Sequence, residues 1–66
     1  MLTERQSEVM IFIKEFIAEN SYPPTRAEIG EHFEIRPNAV QEQLVKLESK
    51  GKLSIIPNIA RGIVIK

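Results

Sequence analysis

A mainly helical α+β domain, three helices followed by a C-terminal β-hairpin, is the fold the sequence predicts over residues 1–66. Three observations predict it. Thr25 to Gly51 reads as a short capped helix, a break of three or four residues and a second helix opened by Pro37. A capped amphipathic stretch from Thr3 to Asn20 precedes that pair. Two short β-branched-rich runs, Leu53 to Ile56 and Ile63 to Ile65, follow it, joined by Pro57–Gly62 with Arg61 at the turn. Two helices about a tight turn outline a helix-turn-helix, and a hairpin after them makes it a winged helix-turn-helix.

The first helix starts at Thr3. Thr3-Glu4-Arg5-Gln6 fits a capping box, and Glu4 suits the positive end of the helix dipole. Val9, Phe12, Ile13, Phe16 and Ile17 then recur with helical period. Pro23 and Pro24 cannot continue that helix, which should end near Asn20. Thr25 caps the second helix, with Glu28 as its box partner and Ile29 and Phe33 as the inward face. Gly30, inside this helix, costs about 1 kcal/mol relative to Ala. It is expected to let the third helix approach closely. Pro37 suits the first position of the third helix, and Val40, Leu44 and Leu47 form its inward stripe. Lys50 suits the negative helix end, and Gly51 the left-handed position beyond it. A lone hairpin is weak, so the last two runs must pack on the helices.

Size and composition narrow the classes. A chain of 66 residues makes one domain, and a domain this small buries only about 60% of its unfolded surface. There is no cysteine, which removes disulfides and thiolate metal ligands. No apolar run approaches the roughly 18 residues of a membrane span, and no signal peptide is visible, so a cytoplasmic location is expected. Net charge is zero, yet its distribution is uneven. Residues 1–34 hold seven glutamates against three cations, and residues 35–66 hold six cations against two glutamates. An acidic half and a basic half are the footprint of a protein that meets a polyanion.

The third helix carries the candidate site. With Val40, Leu44 and Leu47 inward, a step of about 100° per residue puts Asn38, Glu42, Val45 and Ser49 outward, with Gln41 and Lys46 on the flanks. Amides pair with adenine, a carboxylate accepts from the cytosine amino group, and small apolar groups touch the thymine methyl. Val45 either fills a core edge or meets such a methyl. Arg36, just before the helix, suits guanine or a phosphate. Lys50, Lys52 and Arg61 are candidate phosphate contacts, and Arg61 beside Gly62 could also enter a minor groove.

Catalytic chemistry finds no support. His32 is the only histidine, and no aspartate exists to orient it. Ser7, Ser21, Ser49 and Ser54 have no evident base. One histidine and no cysteine make no zinc site, and no glycine-rich phosphate loop occurs. No catalytic residue, metal or small-molecule cofactor is expected.

Several segments together resemble the N-terminal DNA-binding domain of LexA repressors. They are Leu2-Thr3-Glu4-Arg5-Gln6 with Glu8-Val9, Pro23-Pro24-Thr25-Arg26-Ala27-Glu28-Ile29, Pro37-Asn38-Ala39 with Leu44, Leu47 and Lys50-Gly51, and Arg61-Gly62-Ile63. The Pro-Pro-Thr-Arg-Ala-Glu-Ile run is the most specific. The resemblance implies a winged helix whose third helix reads double-stranded operator DNA, in a repressor of the SOS-response type. By position, the base readers it implies are Asn38, Ala39, Gln41 and Glu42, with Arg36 at the helix entrance. The backbone contacts would be Thr25, Arg26, Lys46, Lys50, Lys52 and Arg61. The chain departs from the family at Arg36, where Ser is usual, and at Gln41, where Glu is frequent. It also departs at Glu34, where Gly is usual in a turn one residue longer.

LexA repressors add a C-terminal domain that dimerises and cleaves itself with a Ser–Lys dyad. The chain stops at Lys66, as an excised fragment or a natural stand-alone relative, and as it stands should not self-cleave. Pairing on a palindromic operator would then come through that missing domain. A rival reading, favoured by zero net charge and by Glu42 on the outward face, is a stand-alone protein-interaction module that docks or antagonises a regulator.

Overall fold

The computed structural model describes residues 2–66. Its elements are α1 (Glu4–Asn20), α2 (Arg26–Phe33), α3 (Pro37–Ser49) and an antiparallel hairpin of β1 (Leu53–Ile55) and β2 (Ile63–Ile65). Local chemistry explains the boundaries. The Gln6 amide donates to Thr3 Oγ1 and the Thr3 amide to Gln6 Oε1, each at 3.1 Å, so the expected capping box starts α1. The same reciprocal pair at Thr25 and Glu28 starts α2. Pro37 opens α3, and Arg36 before it makes no side-chain cap.

The helix ends differ in their cost. Ser21 takes a left-handed conformation after α1, with φ 66°. Glu34 does so after α2, with φ 58°. After α3 the left-handed position belongs to Gly51, at φ 75°. There the Gly51 amide donates to the Glu48 carbonyl at 2.9 Å and the Lys52 amide to Leu47 at 3.0 Å. These are the two bonds of a Schellman motif. Gly30 does allow a close approach. A Cβ on it would lie 2.6 Å from the Ile35 carbonyl oxygen and 3.5 Å from Val40 Cγ2. The first neighbour is therefore the turn, and α3 comes second.

One core joins all the elements: Val9, Met10 and Ile13 from α1, Ile29 from α2, Val40, Leu44 and Leu47 from α3, and Leu53 and Ile63 from the hairpin. Met10 joins the stripe expected for α1, while Phe12, Phe16 and Ile17 are only half-buried. Phe12 meets Phe33 edge-on at 5.7 Å between ring centroids and stacks on His32 at 4.2 Å, and Phe16 meets Tyr22 at 5.8 Å. The rings thus form a ladder on the flank of α1 and α2, and His32 belongs to it. The hairpin pairs Leu53 with Ile65, Ser54 with Val64 and Ile55 with Ile63. Its first strand is shorter than the Leu53–Ile56 run, because the Ile56 amide already closes the tip by donating to Gly62 at 2.7 Å. The Glu48 carboxylate accepts from the Ile55 amide at 2.9 Å and ties β1 to α3. Among the described residues no helix is long and apolar enough to cross a membrane.

Candidate nucleic-acid interface

The outward face of α3 stands open. Asn38, Glu42, Lys46 and Ser49 are exposed, as is Arg36 at the entrance of the helix. Val45 is 48% exposed, so the core-edge alternative fails and its side chain belongs to the surface. The reason is register: Leu44 and Leu47 already take the two positions that face the core, and both are fully buried. Ala39 and Gln41 are half-buried on the two flanks of that face, Gln41 on the side towards α2. There Arg26 Nε donates to Gln41 Oε1, across the helix-turn-helix. The hairpin covers neither Asn38 nor Glu42.

The first turn of α3 has no acidic residue, whereas those of α1 and α2 carry Glu4 and Glu28. The positive end of the α3 dipole is therefore left uncompensated beside Arg36 and Asn38.

The cations expected to meet phosphate occupy three kinds of place. Lys46 and Lys52 are exposed on α3 and at the start of the wing. Lys50 is exposed too, with its Nζ donating to Gln6 Oε1 at 2.6 Å, which links the end of α3 to the start of α1. Thr25 keeps its hydroxyl oxygen on the Glu28 amide, and Arg26 follows it at the first position of α2.

Arg61 departs from the expectation of a hairpin-tip contact. Its Nη1 donates to Glu28 Oε1 at 2.7 Å and to the Pro23 carbonyl at 2.9 Å, and its Nη2 to Glu28 Oε2 at 3.1 Å. The guanidinium also lies 4.4 Å over the Tyr22 ring. A planar fork matched to a carboxylate explains this inward turn. The hydrogen bonds from Arg61, then the Thr25 amide, hold the Glu28 carboxyl below its ordinary value of 4.5. Glu28 in turn raises Arg61.

Neither the wing anchor at Glu28 and Tyr22 nor the Arg26–Gln41 contact was legible beforehand. Both join residues distant in sequence. The one available signal was a single Arg beside Gly in a wing whose tip, Pro57–Ala60, otherwise holds no charge.

Three helices around a tight turn, a short wing and an uncovered polar face on the third helix define a winged helix-turn-helix domain. The chain matches the family model described as the LexA DNA binding domain over residues 1–62. It is similar to the LexA repressor of Pseudomonas chlororaphis, at 46% identity over 65 residues. It is also similar to that of Hahella chejuensis, at 46% over 63 residues, and to that of Pseudomonas aeruginosa strain LESB58, at 43% over 65. These alignments cover 97%, 94% and 97% of the chain, and 32% of each relative. The chain belongs to the LexA DNA-binding domain family. It spans about one third of the length of the repressors it matches.

Proposed function

We propose that the chain binds double-stranded operator DNA sequence-specifically, with α3 in the major groove and the wing along the backbone. It would serve as the operator-binding part of a LexA-type repressor acting in the cytoplasm. The observation that carries this reading is the solvent-open face of Asn38, Glu42 and Val45 on a helix fixed by its buried side. Arg36, Asn38, Ala39, Gln41 and Glu42 read base edges. Thr25, Arg26, Lys46, Lys50 and Lys52 hold phosphates. Arg61, held by Glu28, sets the angle of the wing instead of touching DNA directly. One copy covers one half-site, so a palindromic operator takes two, paired through a C-terminal domain of a full-length repressor.

Fluorescence anisotropy on a labelled duplex tests the reading. A single copy should bind at about 10⁻⁴–10⁻⁶ M. With four cations on phosphates, log K should fall against log salt with a slope of about −3 to −4. Asn38→Ala should cost about 1–3 kcal/mol of discrimination at one base pair. Salt-independent binding, or equal loss from Asn38→Ala on random DNA, contradicts the proposal.

A further inference from the structure

We propose that Arg26 fixes the polarity of the Gln41 amide, so that Gln41 meets its base as a donor and selects guanine or thymine there. The proposal rests on the major-groove reading above and deepens it. Arg26 opens α2 directly after the cap residue Thr25, and Gln41 lies in the second turn of α3. Its guanidinium carries only donors, so the bond from Arg26 Nε has to end on the amide oxygen of Gln41. That bond draws Oε1 towards α2 and leaves the amide nitrogen as the polar group free to turn outward.

A glutamine with a free amide reads adenine, accepting from its amino group while donating to N7. On Gln41 a cation already occupies the oxygen. A second donor brought to it, whether the adenine or the cytosine amino group, meets a partly used acceptor beside a positive charge. Adenine N7 accepts as well, but the amino donor beside it faces the used oxygen and the charge of Arg26, whereas guanine O6 and N7 and thymine O4 present acceptors alone and suit both the free N–H groups and that charge. Glutamate at this position would also bind Arg26 yet keep acceptor capacity on its second oxygen, which suits cytosine. Asn38 offers the internal contrast: it is exposed, and no hydrogen bond among the described residues orients its amide.

The experiment is selection from a randomised duplex library by the full 66-residue chain at about 50 mM salt, where phosphate contacts retain binding. The position whose preference relaxes in Gln41→Ala is the one Gln41 faces. There the wild type should favour guanine or thymine over adenine and cytosine by about fivefold or more. Arg26→Met should bring adenine level with them, Arg26→Lys should keep the preference, and Gln41→Glu should move it to cytosine. Circular dichroism establishes that each variant is folded. Should Arg26→Met not fold, the wild-type preference and the Gln41→Glu switch decide. Adenine preferred by the wild type, an unchanged preference in folded Arg26→Met, or cytosine not gained by Gln41→Glu overturns the proposal. So does a Gln41→Ala that relaxes no position, although sequence enrichment elsewhere would leave the major-groove reading standing. No enrichment at any position overturns both.

Discussion

Replacing Glu34 by glycine should stabilise the domain by about 1 kcal/mol. Glu34 holds φ 58° and ψ 42° in the turn between α2 and α3, with its amide bound to the Gly30 carbonyl. An L-residue in that conformation costs about 1–2 kcal/mol, because Cβ crowds the following carbonyl oxygen. Glycine removes that cost and adds about 0.5–1 kcal/mol of ordering entropy. The carboxylate also sits at the negative end of the α2 dipole, and its removal adds about 0.3 kcal/mol. The sum raises the melting midpoint by about 4–8 °C for a domain of this size.

Thermal and urea melts followed by circular dichroism measure it. Glu34→Ala is the control, since it removes the charge and keeps the strained φ, so its gain should stay near 0.3 kcal/mol. Gly51→Ala is the converse. A Cβ there meets nothing within 4 Å, so its loss of about 1 kcal/mol is conformational alone. A Glu34→Gly variant no more stable than Glu34→Ala would refute the strain argument.

Gly30→Ala should destabilise by about 1–3 kcal/mol despite the better helix propensity of alanine, because the added methyl meets the Ile35 carbonyl at 2.6 Å. Urea midpoints test this, and a stabilised variant would mean that the turn yields freely. The Glu28 carboxyl is held below 4.5 in the folded chain. Its contribution to stability is therefore complete above about pH 4.5 and is lost as pH falls through the lower folded value. Glu28→Gln, which keeps an acceptor for the Thr25 amide, should flatten that acid limb. Tyr22 is the only tyrosine and there is no tryptophan, so its fluorescence reports release of Arg61 directly. An acid limb unchanged in Glu28→Gln would count against the anchor.

The parts of the fold legible in the sequence are those fixed within a few residues. Both capping boxes, the proline start of α3 and the glycine stop at Gly51 are local hydrogen-bond chemistry, and each falls where the residues required. The inward stripe of α3 was legible because its apolar spacing is unambiguous. Met10 was harder, since α1 carries apolar residues around more than one side and only packing decides which are buried. Val45 was ambiguous for the same reason. The partners of Arg61 were not legible, because a cation at a hairpin turn looks solvated until the fold brings Glu28 and Pro23 beneath it. Glu28 had been accounted for by its cap alone, yet its Oε1 serves both the Thr25 amide and Arg61.

Zero net charge does not oppose binding to a polyanion, because DNA responds to the charge near it and not to the sum. At physiological salt the screening length is about 8 Å, against molecular extents of 27 × 25 × 23 Å. Glu4, Glu8, Glu15 and Glu19 lie on the exposed side of α1, which turns away from the same core that α3 turns away from. Glu28 on α2 is matched by Arg61, and that pair withdraws one negative charge together with one positive. Exposed along α3 and the start of the wing are then Arg36, Lys46, Lys50 and Lys52 against Glu42 and Glu48. The ion pair at the wing therefore has two effects of one cause. It fixes the hairpin against α2, and it matches the charge of Glu28 where that carboxylate stands.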